Sequence, residues 1–552
     1  MKFQGLIFMV TKITNGADMF VKALELAGVS KVFTLSGNHI MPVYNAIFDS
    51  KIELIHTRHE AAAVHMADAW ARLTGEIGIA LVTGGPGHAN AVSALYTASM
   101  AESPVVLISG HAPLNQLGKG AFQEMAQADI AAPLTKASWT CLKTEDIALD
   151  TAKAIRIAKS GRPGPTHLSL PSDILESASP LTASLPSSED FLAEHQPANL
   201  DVSVILSTLM AAKSPLILVG PMMLSKSGKK QLLCLEESLN IPVIGMESPR
   251  GIGDPSLGAF SEVLSKADCT LLLGKKLDFT LKFGSSPGIN SECTFLQIDP
   301  EENEIERVKN AVGSRLKSAF ICDTPTAIGA LIAAKSTKHP SSGKWLGEVN
   351  AAITYRPTSW KELPPKDGRV HPAQVFLPLQ ELLDSHPDSV LVSDGGEIGQ
   401  WAQACLKAPN RVLNGIAGSI GAGLPFALAS RVAKPNVPII AVMGDGTFGF
   451  HSAEIDTAVR YGLDFVLIVG NDARWNAEYQ IQLKDYGKDR TIACELLPSS
   501  YEKVAQAFGG YGELVTNSNE ILPAVKRAIE SQLPSCLNVM IEGLAAPNIK
   551  RS

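Results

Sequence analysis

Two stretches of the chain place carboxylates where they could do chemistry. The first is "IHTRHEAAAVHMADAW" (55–70), in which Glu60 stands between a short apolar strand (52–55) and an alanine-rich helix. On a helical wheel Glu60 shares its face with Ala63, Val64 and Ala67, and Trp70 lies close by. A glutamate in a first helical turn also complements the macrodipole, so capping is the plain alternative. A zinc site fails on spacing. His59-Glu60 is followed by His65, five residues after the glutamate, where the zinc-protease pattern needs a histidine three after it.

The second stretch is "IIAVMGDG" (439–446), an apolar strand ending in Gly444-Asp445-Gly446. An amphipathic helix, "SAEIDTAVRYG", and a second strand, "DFVLIVG", lead to Asn471-Asp472. A strand–helix–strand crossover returns the chain in parallel, so both acidic strand ends reach the carboxyl edge of the sheet. Open α/β sheets bind ligands at that edge. Two oxygen-bearing side chains there suit Mg²⁺, which prefers carboxylates together with substrate phosphate oxygens. Gly444 and Gly446 let backbone approach such a phosphate. A lone Gly-Asp-Gly is more often an empty turn. The second polar strand end makes the pattern specific.

The elements that must position these groups read as α/β throughout. Residues 13–175 alternate strands ("KVFTL", "IELIH", "GIALVT", "PVVLIS") with helices, the pattern of a parallel sheet covered on both faces. A Ser/Pro-rich stretch (171–200) reads as a linker. A second unit carries "PLILVG", "PVIGM", "CTLLLG" and "TFLQID". "KSTKHPSSGKW" (335–345) and "YRPTSWKELPPKDGRVHP" (355–372) make a second linker. A third unit carries "SVLVSDGG", "RVLNG", "IIAVMGDG", "FVLIVGND" and "CLNVMIEG". The expected fold is α/β in three domains, 12–180, 200–335 and 368–545, each a mainly parallel sheet flanked by helices. Their similar size and class resemble internal duplication.

Composition narrows the partners. The 552 residues are 45 % hydrophobic and 19 % charged, enough for several cores and against long disorder. Net charge is −7 with no Lys/Arg block, which excludes nucleic acid and anionic membranes as expected partners. Eight scattered cysteines form no CxxC pair and read as reduced thiols of a cytoplasmic protein. "MKFQGLIFMV" lacks a signal-peptide h-region, and Met9 is an alternative start. No run reaches the ~18 apolar residues that span a bilayer.

GDG at 444–446 and ND at 471–472, with 24 residues between them, resemble the GDG…NN motif of thiamine-diphosphate (ThDP) enzymes. The likeness covers almost the whole chain: a pyrimidine-binding domain, a central domain and a diphosphate-binding domain, as in the acetolactate synthase, benzaldehyde lyase and 2-hydroxyacyl-CoA lyase group. The resemblance implies Mg²⁺ bound by Asp445, Asp472 and the Arg474 carbonyl. Asp stands where the family usually has Asn, and Asn471 is the alternative ligand. Gly444, Gly446 and Thr447 would then contact the diphosphate. "GIAGSIGAGLPFALAS" (415–430) resembles the segment that holds the thiazolium and aminopyrimidine. It implies cofactor contacts for Gly418, Ser419 and Ile420, with Ile420 as the apolar wedge that bends the cofactor.

In this family the glutamate that activates the cofactor sits in a context like "RHE-A-A", and Glu60 matches it. A carboxylate on an apolar face is poorly solvated, so its pKa is expected to rise. The resemblance implies that Glu60 shares a proton with the aminopyrimidine, which then removes the thiazolium C2 proton; the cofactor is the electron sink. The cofactor would bridge two chains, implying a homodimer or homotetramer with active sites at the subunit interface.

His39, in "TLSGNHIMPVYNA", matches a histidine of benzaldehyde lyase and suits proton transfer at a carbinol oxygen; a backbone-bonded loop histidine is the alternative. Gln123, in "AFQE", matches a glutamine that reaches the cofactor, and Phe122 beside it lines the pocket or packs. His88, in "GGPGHAN", reads as structural. Trp475 and Ala477 match pocket positions, while Asn476 and Glu478 add polarity. "LLLGKKLDFTLKFG" (271–284) looks like the acyl-CoA lyase stretch, yet neither an FAD nor an ADP/CoA signature is complete, and "APNIKRS" leaves little tail to close over a CoA.

The expected function is ThDP- and Mg²⁺-dependent carbon–carbon bond formation or cleavage on 2-keto acids, 2-hydroxy ketones or aldehydes, acetolactate synthase-like. Benzaldehyde lyase-like and 2-hydroxyacyl-CoA lyase or oxalyl-CoA decarboxylase-like activities are the alternatives. A non-catalytic ThDP-binding regulatory subunit is disfavoured by the retained Glu60, Asp445 and GSIG segment. A NAD-linked dehydrogenase lacks its GxGxxG fingerprint.

Overall fold

A computed structural model describes residues 13–180, 183–195, 199–334, 339 and 342–551. The proposed start at Met9 and the domain limits at 12 and 335 fall outside the described residues. The chain forms two compact units. The first holds the described residues up to Ala67, then Ile77–Ser99 and Pro104–Glu194; the second holds Asp68–Glu76, Met100–Ser103 and the described residues from His195 on.

The first unit is built on a six-stranded sheet. Its strands are β1 (Lys31–Thr34), β2 (Glu53–His56), β3 (Gly78–Val82), β4 (Val105–His111), β5 (Ser138–Thr140) and β6 (Thr166–Pro171). They pair in the order β2-β1-β3-β4-β6-β5, all parallel. β3 and β4 are buried along their whole length, as strands between two helical layers should be, β4 burying Ser109 and His111 as well as its apolar start. Apolar side chains of the Gly16–Leu26, Met41–Phe48 and Ile147–Lys159 helices close one face, with Phe20, Leu24, Ile47 and Ile155 at the core.

The second unit contains two parallel sheets. The central one has β7 (Pro215–Val219), β8 (Val243–Gly245), β9 (Cys269–Leu273), β10 (Thr294–Asp299) and β11 (Leu316–Ile321), ordered β11-β10-β9-β7-β8. The other has β12 (Val390–Ser393), β13 (Asn410–Leu413), β14 (Ile439–Gly444), β15 (Phe465–Asn471), β16 (Tyr511–Val515) and β17 (Pro534–Met540), ordered β13-β12-β14-β15-β17-β16.

The first and last sheets share one strand order. In each, the chain reverses its winding beside the first strand: β1 meets β3 with β2 on its far side, and β12 meets β14 with β13 on its far side. Loops leaving such neighbours diverge and open a crevice at the carboxyl edge, the ligand site of open α/β sheets. Both carboxylate-bearing stretches feed these two crevices.

The linkers are shorter than their composition suggests. Pro171 ends β6, and Leu175 and Phe191 are buried in the first unit's core, so much of 171–200 belongs to that unit; 181–182 and 196–198 lie outside the described residues. Residues 335–338 and 340–341 of the second linker also lie outside them, but Ser342–Thr354 is a helix. Its Trp345 packs in the central core and donates Nε1–H to the Pro215 carbonyl at 2.9 Å.

Candidate active site

In the first unit the site residues gather around the turn after β3. The Glu60–Thr74 helix begins at Glu60 itself. Residues 61–71 are buried, whereas Glu60 is half-buried, and its Oε2 accepts a hydrogen bond from Asn90 Nδ2 at 3.0 Å. This corrects the sequence expectation: the first-turn position turns the carboxylate off the apolar stripe, and its own unit does not enclose it. Gly87 lies against it, where a Cβ would sit 3.4 Å from Glu60 Oε1 and 2.7 Å from Thr83 Cγ2. Thr83 in turn meets His39, Oγ1 to Nδ1 at 3.2 Å. His39 is buried, and burial pushes its pKa below the ordinary 6.5; the Phe122 carbonyl opposes this and His111 adds to it. The imidazole is therefore neutral at pH 7, held by a side-chain hydroxyl rather than by backbone alone.

Gln123 reaches the same turn. Its Cβ is 2.7 Å from where a Cβ on Gly85 would stand, and it adopts φ +58°. A non-glycine residue in that region stores strain, a feature that concentrates at functional sites. The loop that imposes it is tied down by Glu124, which accepts from Gly118 N at 2.6 Å and Ala121 N at 3.1 Å. His111 is tied to the carbonyls of Ala112 and Met125 at 2.9 and 3.2 Å. Phe122 is 67 % exposed, with its ring stacked 6.0 Å from that of His39. His88 is fully buried, meets Ser109 Oγ at 2.8 Å and lies 4.5 Å from the His167 ring. Burial drives its pKa to about 4, so it is a neutral packing residue.

In the second unit a cavity of about 200 Å³ opens at the β12/β14 crevice. Gly418, Ile420, Gly444, Asp445, Gly446, Thr447, Asp472, Arg474 and Trp475 line it; Ser419, half-buried among them, does not. Asp445 is the first residue of an Asp445–His451 helix, where the sequence reading put Gly444-Asp445-Gly446 at the end of the strand and began the helix only at "SAEIDTAVRYG". Gly446 cannot carry a side chain, because a Cβ would stand 2.6 Å from the Trp475 ring.

Asp445 Oδ2 is buried without a hydrogen-bond partner. Burial raises the Asp445 pKa to about 6, against the pull of nearby backbone N–H groups. Burial, followed by the charge of Asp445, raises Asp472 to about 7. Two buried carboxylates that press on each other and leave an oxygen orphaned fit a divalent cation, which supplies the missing charge. Among the described residues no group of three or more His, Cys, Asp or Glu forms a metal site, so any further ligands come from carbonyl, water or phosphate oxygens. Asn471 is occupied elsewhere: its Nδ2 donates to Ser499 O and Asn538 Oδ1, both at 3.1 Å, and its Oδ1 accepts from Ala473 N at 3.2 Å. Ala473, at φ +59°, turns the chain between Asp472 and Arg474.

Sequence reasoning missed the residues that brace this cavity. Asp394, fully buried after β12, accepts from Gly395 N at 2.5 Å, Gly421 N at 2.9 Å and Gly423 N at 2.6 Å. These bonds hold the Ile420 loop, where Gly421 takes φ +100° and a Cβ would strike Phe450. Glu397, on the cavity wall, pairs with Arg250 at 3.2 Å and accepts from Ala546 N. Asn476 donates to Leu544 O at 3.0 Å, so its amide is spent on the C-terminal segment. The signal for Asp394 was present in "SDGG", an acidic residue at a strand end before two glycines.

A parallel sheet with a carboxylate-lined, glycine-rich crevice at its carboxyl edge is the usual ligand site of an open α/β fold. Three domains of the thiamine pyrophosphate enzyme family match the chain: the N-terminal TPP-binding domain over residues 14–130, the central domain over 202–317 and the C-terminal TPP-binding domain over 394–539. An acetolactate synthase large subunit of Mycobacterium tuberculosis is 31 % identical over 538 residues, 96 % of each chain. The 2-hydroxyacyl-CoA lyase 2 of Bos taurus is 30 % identical over 577 residues, covering 96 % of this chain and 90 % of its own. The human 2-hydroxyacyl-CoA lyase 2 is 29 % identical over 603 residues, covering 98 % and 92 %. The chain belongs to the thiamine pyrophosphate enzyme family and is a thiamine-diphosphate-dependent enzyme. No helix among its described residues is long and apolar enough to cross a membrane.

Proposed function

We propose that this enzyme forms or cleaves a carbon–carbon bond next to a carbonyl, acting on small 2-keto acids, 2-hydroxy ketones or aldehydes in the manner of an acetolactate synthase, with Mg²⁺ anchoring its cofactor. The observation that carries this reading is the buried Asp445/Asp472 pair with its orphaned oxygen, at the strand ends where the family's diphosphate domain lies. Asp445, Asp472 and the Arg474 carbonyl hold the metal. Gly444, Gly446, Thr447 and Gly418, with Ser419 beside them, receive the cofactor, and Ile420 and Trp475 press on its apolar parts. When bound, thiamine diphosphate supplies an electron sink for a carbanion next to a carbonyl. Glu60 moves a proton at its carboxylate, His39 moves one at its imidazole toward a substrate oxygen, and Gln123 orients a carbonyl through its amide. We place the domains at 12–180, 200–335 and 368–545.

The cavity of about 200 Å³ is smaller than the roughly 300–1,000 Å³ of a complete ligand pocket, so the second unit alone does not enclose a whole cofactor, and we take the cofactor to be shared between two copies of the chain, as the family resemblance implies. On that reading a mixture of inactive Glu60→Gln and Asp445→Ala proteins, dissociated and reassociated, regains part of the wild-type activity. A mixture as dead as its components contradicts the shared site. Eight cysteines free of disulfides support a cytoplasmic location.

His39 favours a second reading, a lyase for 2-hydroxy ketones or 2-hydroxyacyl-CoA. It needs a proton carrier beside the carbinol, which a neutral, buried imidazole is suited to be. The substrate test is proton NMR of products formed from pyruvate with ThDP and Mg²⁺. Acetolactate supports the synthase reading, acetaldehyde alone a decarboxylase, and no turnover with cofactor bound moves the assignment to larger hydroxy ketones or acyl-CoA thioesters. His39→Ala is expected to lower kcat about 100-fold while cofactor affinity holds. Because burial lowers the pKa of His39, the wild-type acid limb lies below pH 6.5 and activity falls as pH drops through it. Wild-type kinetics in His39→Ala assign the histidine to packing.

A further inference from the structure

We propose that Asn90 is a positioning residue for Glu60: its amide holds Oε2 and so fixes the direction of Oε1, on the side of Gly87. The inference rests on the reading of Glu60 as the proton-transfer group, and it assigns a role to a residue that the sequence motifs left unexplained.

The two oxygens of Glu60 have different surroundings. Oε2 accepts from Asn90 Nδ2 at 3.0 Å. A carboxylate only accepts, so the amide must present its NH₂ to it, and the orientation of Asn90 follows from chemistry. Oε1 lies on the Gly87 side, 3.4 Å from where a Cβ on that glycine would stand. Glu60 is the first residue of its helix, with no preceding turn to restrict its side chain. A long, half-buried side chain in that place has several rotamers. One donor from the Pro86–Met100 helix selects among them. Asn90 is exposed and is not among the buried residues of that helix, so its truncation is expected to cost little packing. A proton-transfer group misplaced by a fraction of an ångström loses rate without losing its chemistry.

The test uses the full-length protein loaded with ThDP and Mg²⁺. Three quantities are read: cofactor Kd by calorimetry, kcat against KM, and the rate at which the C2 proton of bound cofactor exchanges with deuterium, followed by NMR after acid quench. Asn90→Ala is expected to bind cofactor within about threefold of wild type, keep its KM, and lose about 10- to 100-fold in both kcat and exchange, the usual cost of removing a supporting partner. Asn90→Asp has the same shape without the donor, so it is expected to be at least as impaired. Asn90→Gln keeps the amide and recovers most of the exchange rate. Wild-type exchange in Asn90→Ala and Asn90→Asp overturns the proposal, as does an Asn90→Asp protein that is fully active. Glu60→Gln separates the two failures. If it also exchanges and turns over normally, the reading of Glu60 falls. If it is dead while the Asn90 variants are active, only the role of Asn90 falls.

Discussion

Glu60→Gln is expected to bind thiamine diphosphate with near-normal affinity and to lose about 10²–10⁴-fold in kcat, the range that one positioned proton-transfer group contributes. The substitution keeps the shape of the side chain and its contact with Asn90, since an amide oxygen still accepts from Nδ2. It removes only the ability to carry a proton. The helix should not suffer, because Glu60 is its first residue and contributes little packing. Calorimetry of cofactor binding beside steady-state kinetics separates the two effects. Turnover near wild type would remove the carboxylate from the chemistry and return it to the capping role that its first-turn position also allows.

Asp445→Ala and Asp472→Ala are each expected to weaken cofactor retention about 100-fold or more, exceeding the usual loss for an outer partner of a metal ligand. The pair is buried and carries an oxygen with no protein partner, and Arg474 and Arg369 offset only part of the cost of its charge, so a bound cation stabilises it. Stripping divalent ions with a chelator should reproduce the variants, and Mg²⁺ should restore the wild type alone. Asn471→Ala should behave differently. It removes three hydrogen bonds inside the β15–β17 edge, so the loss appears in thermal stability before it appears in metal dependence. Unchanged Mg²⁺ affinity in Asp472→Ala, with lost affinity in Asn471→Ala, would reverse the ligand assignment.

Strands that run apolar from end to end were legible, because burial between helical layers demands it: "GIALVT", "CTLLLG" and "IIAVMGDG" became β3, β9 and β14. Three edge strands were not, although the edge strands β2, β8 and β13 were read as "IELIH", "PVIGM" and "RVLNG". β5, β11 and β16 are half-exposed, and their sequences carry too many polar residues to stand out from loops. β6 hid for another reason. It buries His167 and Ser169, which satisfy each other and Ser138 and Gln127, so its polar residues broke the apolar signal while the strand sat in the interior. The residue types of the site were legible for the same reason as the long strands, since their spacing follows the strand–helix rhythm. Asn90, Thr83 and the Arg250–Glu397 pair were not, because each acts on a neighbour distant in sequence. The environment of Glu60 was misjudged because a helical wheel assigns a face to a residue that, at a helix start, is free to leave it.

The most direct test of a catalytic ThDP centre that depends on Glu60 needs no knowledge of the substrate. The C2 proton of thiamine diphosphate bound to the wild-type protein with Mg²⁺ is allowed to exchange with deuterium, quenched in acid and read by proton NMR beside Glu60→Gln. Exchange orders of magnitude faster than for free cofactor in the wild type, collapsing in Glu60→Gln, is the predicted result. Wild-type protein that binds the cofactor yet exchanges its proton no faster than free solution would contradict the account and make this chain a binder rather than a catalyst.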